Sequence, residues 1–184
     1  EVWDELFVEA GWQITEARRI FLDRFSEKFL PVYGSIADDE APQIKYCSSW
    51  KGGSREELRF EIEAMRAREI AIGTSCLGPQ RDDYLIEKSR NISFDSSASQ
   101  GQRRMAVISM RLAEAGILEE TRGEPPVVLI DDVFSELDSR RRRNLVEHLG
   151  GKSQIIFTMV DSDHAEGLDG ALFFVAENGT LRRK

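Results

Sequence analysis

Two cysteines and two histidines among 184 residues leave little from which to build a metal centre or a disulfide framework. Cys47 and Cys76 stand too far apart to form a ligand pair, and His148 and His164 fall in unrelated segments, so no zinc site is expected and both thiols are read as reduced. Long apolar runs are missing too. None approaches the ~18 residues of a membrane span, and a start at Glu1 with no secretory-signal layout reads as a cytoplasmic piece of something longer, with no membrane partner. Positive charge is in deficit: 25 Lys and Arg against 33 Asp and Glu give a net charge of -8. That balance excludes a surface that is a nucleic-acid footprint throughout, so any DNA contact is local. No internal repeat or low-complexity tract occurs.

What is present is ordinary for a globular chain: 41% hydrophobic and 32% charged residues, enough for one lobe with an appendage. Trp3, Phe7, Ala10, Ile14, Ala17 and Phe21 step by four and three, which predicts a long helix with a heptad seam packed on a neighbour; Phe25 and Phe29 shift the stripe and Gly11 interrupts it. Residues 42–50 read as a strand with Ile44, Tyr46, Ser48 and Trp50 on one face, followed by a Lys51-Gly52-Gly53 turn. Ser54 and Glu57 form a candidate capping box for a helix to about Ile72 that buries Leu58, Ile62 and Met65. Residues 1–73 are therefore expected to form an α-rich arm, and residues 74–184 a separate lobe.

Beyond Gly73 the texture becomes α/β. Short strands are expected at 84–87 and 91–94, a helix over 100–119, a buried strand at 127–130, a helix over 138–149 and another buried strand at 154–158. Asn178-Gly179, between apolar segments at 172–175 and 181–182, is a hairpin signal.

The sharpest local feature is Val127-Val128-Leu129-Ile130-Asp131-Asp132, an apolar strand ending in two carboxylates. In open α/β sheets ligands bind at that edge, and a P-loop ATPase places there the acid that helps hold Mg²⁺ beside the phosphates. A buried strand running into an acidic turn gives the same six residues. Ser135-Glu136-Leu137-Asp138 follows and resembles the D-loop of ATP-binding cassettes, although Asp138 also suits a helix N-cap. Upstream, Ser99-Gln100-Gly101-Gln102 opens a helix with a hydroxyl, a close-approach glycine and free N–H groups, which suits a phosphate; Ser99 as a plain N-cap is the alternative.

Three blocks in order, Gly78-Pro79-Gln80-Arg81-Asp82-Asp83, Ala98-Ser99-Gln100-Gly101-Gln102-Arg103-Arg104, and Leu129-Ile130-Asp131-Asp132-Val133-Phe134-Ser135-Glu136-Leu137-Asp138, resemble the bacterial RecF family. The likeness extends to the Glu1-to-Leu6 stretch and the heptad helix. It implies the C-terminal lobe of an ABC-type (P-loop NTPase) head related to SMC ATPases, with a helical arm. It also implies roles: Asp131 as the Walker B acid acting on Mg²⁺ through water, Asp132 as the catalytic carboxylate, and Ser99, Gln100, Gly101 and Gln102 as signature residues read by ATP on a second subunit. Ser135 and Asp138 would be D-loop residues, and Thr158 would stand at the switch position.

The implied activity is ATP binding and slow hydrolysis by a homodimer on DNA at gaps and junctions, serving repair, fork maintenance and the SOS response with RecR, RecO and RecA. Two departures stand out. Gln80 occupies the family's usual His position, and no Gly-x-x-x-x-Gly-Lys-Ser/Thr loop is present, so these residues by themselves lack a β-phosphate cradle. Asp132, a carbon shorter than the Glu of transport cassettes, leaves open an SMC-like DNA-bridging head that binds ATP with little turnover. An OLD-type nuclease would need a further acidic cluster, which is not seen. Arg140 to Arg143 read as a solvated helix face, with DNA phosphate contact as the alternative. Arg81 and Asp82 read as an ion pair.

Overall fold

The computed structural model describes residues 2–88, 92–150, 153–160, 168 and 170–184. Glu1, Asn91 and His164 lie outside them. Helix α1, Val2–Ala37, is followed by strand β1, Gln43–Cys47, and helix α2, Arg55–Ile72. A 3-10 turn at Pro79–Arg81 leads to β2, Asp83–Lys88, and β3, Ile92–Ser93; the short helix α3, Phe94–Ser97, and the long helix α4, Gln100–Arg122, follow. Strand β4, Val128–Asp131, a 3-10 turn at Phe134–Glu136, helix α5, Ser139–Leu149, and β5, Ile155–Thr158, form the α/β unit; β6, Phe174–Glu177, and β7, Thr180–Arg183, close the chain.

Helix α1 buries a different stripe from the heptad seam. Val8, Thr15, Leu22, Phe29, Tyr33 and Ile36 are buried, whereas Trp3 is 81% and Phe21 50% exposed. The stripe is set by what lies against it. Trp50 crosses the helix at Gly11, where a β-carbon would fall 2.2 Å from its Cη2, and its indole N–H donates to Thr15 Oγ1 at 3.1 Å. A step of seven residues from Val8 to Thr15 to Leu22 to Phe29 gives the same period as the seam, rotated onto the other flank of the helix.

Two apolar clusters result. Val8, Trp50, Leu58 and Ile62 form the smaller, with α2 capped by Ser54 Oγ, which accepts from Glu57 N–H, and ended by Gly73 at φ 77. The reciprocal half of the expected capping box is displaced: the Glu57 carboxylate accepts from Gly53 N–H at 2.6 Å. The larger cluster joins Phe29, Tyr33 and Ile36 of α1 to Met105 and Ala113 of α4, Ile130 of β4, Phe134 and Leu145. Each buried Phe, Ile, Leu or Met side chain among them contributes ~1.5–3 kcal/mol by leaving water.

Strands β1, β2 and β3 form an antiparallel sheet in which Gln43 pairs with Glu87 and Cys47 with Asp83. Sheet and larger core therefore both cross position 73. Strand β1 stops at Cys47, so Trp50 is buried from a loop. Phe94 starts a helix.

β4 and β5 pair in parallel, with Ile130 beside Phe157 and Asp131 beside Thr158. These strands are buried on one face only, contrary to the expectation of full burial: Ile130 is 9% exposed, but Leu129 is 72%, Val127 55% and Ile156 49% exposed. The β6–β7 hairpin turns through Asn178 at φ 50 and Gly179 at φ 74, the paired left-handed residues its Asn-Gly sequence predicts. Among the described residues, no helix is long and apolar enough to cross a membrane.

Candidate functional site

At the carboxyl edge of the parallel pair, β4 delivers Asp131 and β5 delivers Thr158 in register. The Thr158 hydroxyl donates to Asp131 Oδ1. The next residue, Asp132, turns sharply at φ 46, and its N–H is shared between the Thr158 carbonyl at 3.1 Å and the Thr158 hydroxyl at 3.2 Å. Its own carbonyl accepts from the Ser135 hydroxyl at 2.9 Å. Asp131, Asp132, Ser135 and Thr158 thus form one exposed cluster around the left-handed turn at Asp132.

A second cluster is built on the first turn of α4. Ser99 is its N-cap: the hydroxyl accepts from Gln102 N–H at 3.2 Å, and Gln102 Oε1 accepts from Ser99 N–H at 2.9 Å, a complete capping box. Gln102 spends its other end on Asp39, whose Oδ2 accepts from Nε2. Gln100 is exposed and Gly101 half-buried; a β-carbon on Gly101 would lie 3.0 Å from the Arg141 guanidinium. Being an N-cap does not remove Ser99 from the phosphate reading, since the remaining N–H groups of the turn still point outward at the positive end of a 23-residue helix.

Three links hold the clusters to the rest. Arg104 of α4 pairs with Glu136 of the 3-10 turn. Asp138 caps α5 by accepting from Arg141 N–H at 2.9 Å, and that bond, aided by the Arg141 and Arg140 charges, holds its carboxyl below the ordinary aspartate value. Arg140 pairs with Asp38. The arginine run is therefore a set of specific contacts at its start, while Arg143 is exposed.

The Gly78-to-Asp83 block has a packing role here. Arg81 does not pair with Asp82: its guanidinium donates to the Ser75 carbonyl and the Thr74 hydroxyl. The Asp82 side chain is fully buried and accepts from the Tyr46 hydroxyl and from Ser49 N–H at 2.7 Å, with Arg18 of α1 at 3.8 Å. Burial, with the Asp82 carboxylate beside it, pushes the Tyr46 phenol above its ordinary value. Gly78, at φ 117, fits where a β-carbon would meet Phe7 at 2.5 Å. Asp38, Asp39 and Arg104 were not singled out from the sequence as site residues; each acts through a partner distant in the chain.

No group of three or more His, Cys, Asp or Glu suited to a metal occurs among the described residues. The donor set at Asp131 fits a magnesium ion that takes one carboxylate from protein and its other oxygens from water and nucleotide.

No family model matches the chain. Curated relatives do: it is 36% identical over 194 residues to the DNA replication and repair protein RecF of Halothermothrix orenii, covering all of this chain and 52% of that protein. It is 34% identical to RecF of Citrifermentans bemidjiense, again over its whole length and 51% of the relative. A solved structure described as the recombination mediator protein RecF-ATP in the RecFOR pathway superposes with a TM-score of 0.78 at 27% identity, over all of this chain and 49% of that one. The chain spans about half the length of the relatives it matches.

Proposed function

The chain belongs over its whole length with the C-terminal half of the RecF family, and we propose that it supplies the hydrolytic and trans-acting parts of an ATP-driven DNA-repair clamp. The observation that carries this reading is that the two clusters are built on different elements of one lobe. Asp131, Asp132 and Thr158 share a strand edge. The Ser99 turn opens a different element. One lobe would then serve two ATP molecules, its own through the strand edge and its partner's through the signature turn.

Within this reading residues 1–73 supply the arm, with the second half of α1 packed into the head lobe of residues 74–184. Asp131 would hold Mg²⁺ through water, with Thr158 fixing which carboxylate oxygen remains free. ATP with Mg²⁺ supplies the phosphoanhydride and the charge neutralisation that its cleavage needs. Asp132 receives a proton from the attacking water, placed by its left-handed turn. Ser99 and the N–H groups of Gln100 and Gly101, which the capping box leaves open, would bind the γ-phosphate of the opposite head, and Ser135 and Asp138 would sit where the two heads meet. Dimerisation is thereby coupled to nucleotide and released by hydrolysis, on DNA gaps and junctions, with RecO, RecR and RecA as the proposed partners. The half of the family's length that the chain does not span would supply the phosphate loop and cover the apolar face at Leu129.

The test is nucleotide binding and DNA-stimulated hydrolysis by the full-length protein, wild type beside Ser99→Arg. Retained binding with turnover and ATP-dependent dimerisation abolished is the expected result. Undiminished turnover would reduce Ser99 to a helix cap.

A further inference from the structure

We propose that Asp38 and Asp39, the two acids that follow α1, are positioning residues of the ATP cycle, tying the signature turn and the helix behind the D-loop to one anchor. The inference rests on the composite-site reading above. Ala37, the last residue of α1, is buried, and Asp38 turns the chain at φ 54. That turn presents two consecutive carboxylates in different directions.

Asp38 faces α5 and pairs with Arg140. Asp39 faces α4: its Oδ1 accepts from Glu40 N–H at 2.8 Å, which leaves Oδ2 to accept from Gln102 Nε2. Because Gln102 is already committed at Oε1 to Ser99 N–H, its amide has only one orientation that satisfies both ends. Asp39 thus fixes the rotamer of the residue that fixes Ser99. A further tie joins the same elements, Asn144 of α5 donating to the Ile36 carbonyl at 3.3 Å.

The pair at Asp38 is exposed, 50% and 68% for its two side chains, and contributes little to stability. Its consequence is geometric. Two segments that reach toward the partner head are set against a single point at the end of a 36-residue helix. None of the contacts resolved at Asp131, Asp132 and Thr158 involves either acid. Loss of the anchor should therefore spare nucleotide binding by one head and impair what two heads do together.

The experiment uses the full-length protein, reading binding of a fluorescent ATP analogue, ATP-dependent dimerisation and hydrolysis. Asp39→Ala should keep nucleotide affinity while turnover and dimerisation fall on the order of tenfold, the effect of one misplaced charge-assisted contact. Asp39→Asn, whose single carbonyl oxygen cannot accept from both Glu40 N–H and Gln102 Nε2, should lose much of both as well. Gln102→Glu keeps the capping box but sets a carboxylate against Asp39, and should lose turnover; adding Asp39→Asn, whose amide donates, should restore several-fold of it. This pair is nearly isosteric, so it carries the test if Asp39→Ala fails to fold. Wild-type turnover and dimerisation in Asp39→Ala, or a double variant no better than Gln102→Glu alone, would overturn the proposal. Ser99→Arg run alongside separates the two claims: if it is inactive while Asp39→Ala is normal, only the anchor is wrong, and if it is active, the composite site itself is wrong.

Discussion

Gly11 shows how a single residue fixes the arm. A β-carbon there would fall 2.2 Å from Trp50 Cη2 and 2.8 Å from Cζ2, and Trp50 is itself packed in a cluster with Val8, Leu58 and Ile62. Alanine is the better helix former by about 1 kcal/mol, yet overpacking a filled site costs ~1–3 kcal/mol. Gly11→Ala is therefore expected to lower the urea midpoint of the full-length protein's arm rather than raise it. An increase would mean that Trp50 can move aside. From the sequence this glycine read only as an interruption of a seam, because its partner lies 39 positions further on and leaves no local trace. Asp131, Asp132 and Thr158 were legible for the opposite reason: strand ends announce themselves by an apolar run that stops at polar residues. Asp39 was not, since its partner Gln102 is 63 residues away.

Among the elements, α5 depends most visibly on its cap. Asp138 accepts from Arg141 N–H, and the folded state holds its carboxyl below the ordinary aspartate value. A depressed carboxylate contributes stability that is present above its unfolded pKa and lost as pH falls through the folded one. The cap should thus stay intact from neutral pH down to the ordinary aspartate range and weaken only beneath it. Asp138→Asn, an equally good cap without the charge, should flatten that acid limb while changing stability little at pH 7. Denaturant midpoints against pH compare the two, and coincident profiles would deny the cap its charge. Helix α1 teaches a different lesson at this scale. Periodicity gave its existence and its seven-residue step, but which flank is buried depends on Trp50 and on the core beneath Phe29, so the choice of stripe failed. The β4–β5 pair failed similarly: four apolar residues implied burial on both faces, whereas here only the Ile130 face is covered.

At the scale of the molecule that open face and the two separate clusters have one explanation. The chain spans about half the length of the RecF proteins it matches; in the proposed reading the other half covers apolar residues such as Leu129 and holds the phosphates on which Asp131 and Asp132 act. The central claim is that the strand edge of one head works with the Ser99 turn of another. Mixing tests it most directly. Full-length Asp131→Asn lacks a working strand edge but keeps its signature turn, and full-length Ser99→Arg has the reverse defects, so each should be inactive alone. In an equimolar mixture with free exchange, half of the dimers are mixed and each has one sound site of two, so hydrolysis should return to about a quarter of the wild-type rate. A mixture no more active than its separate components would contradict the account, because it would place the strand edge and the Ser99 turn of one and the same head at a single ATP.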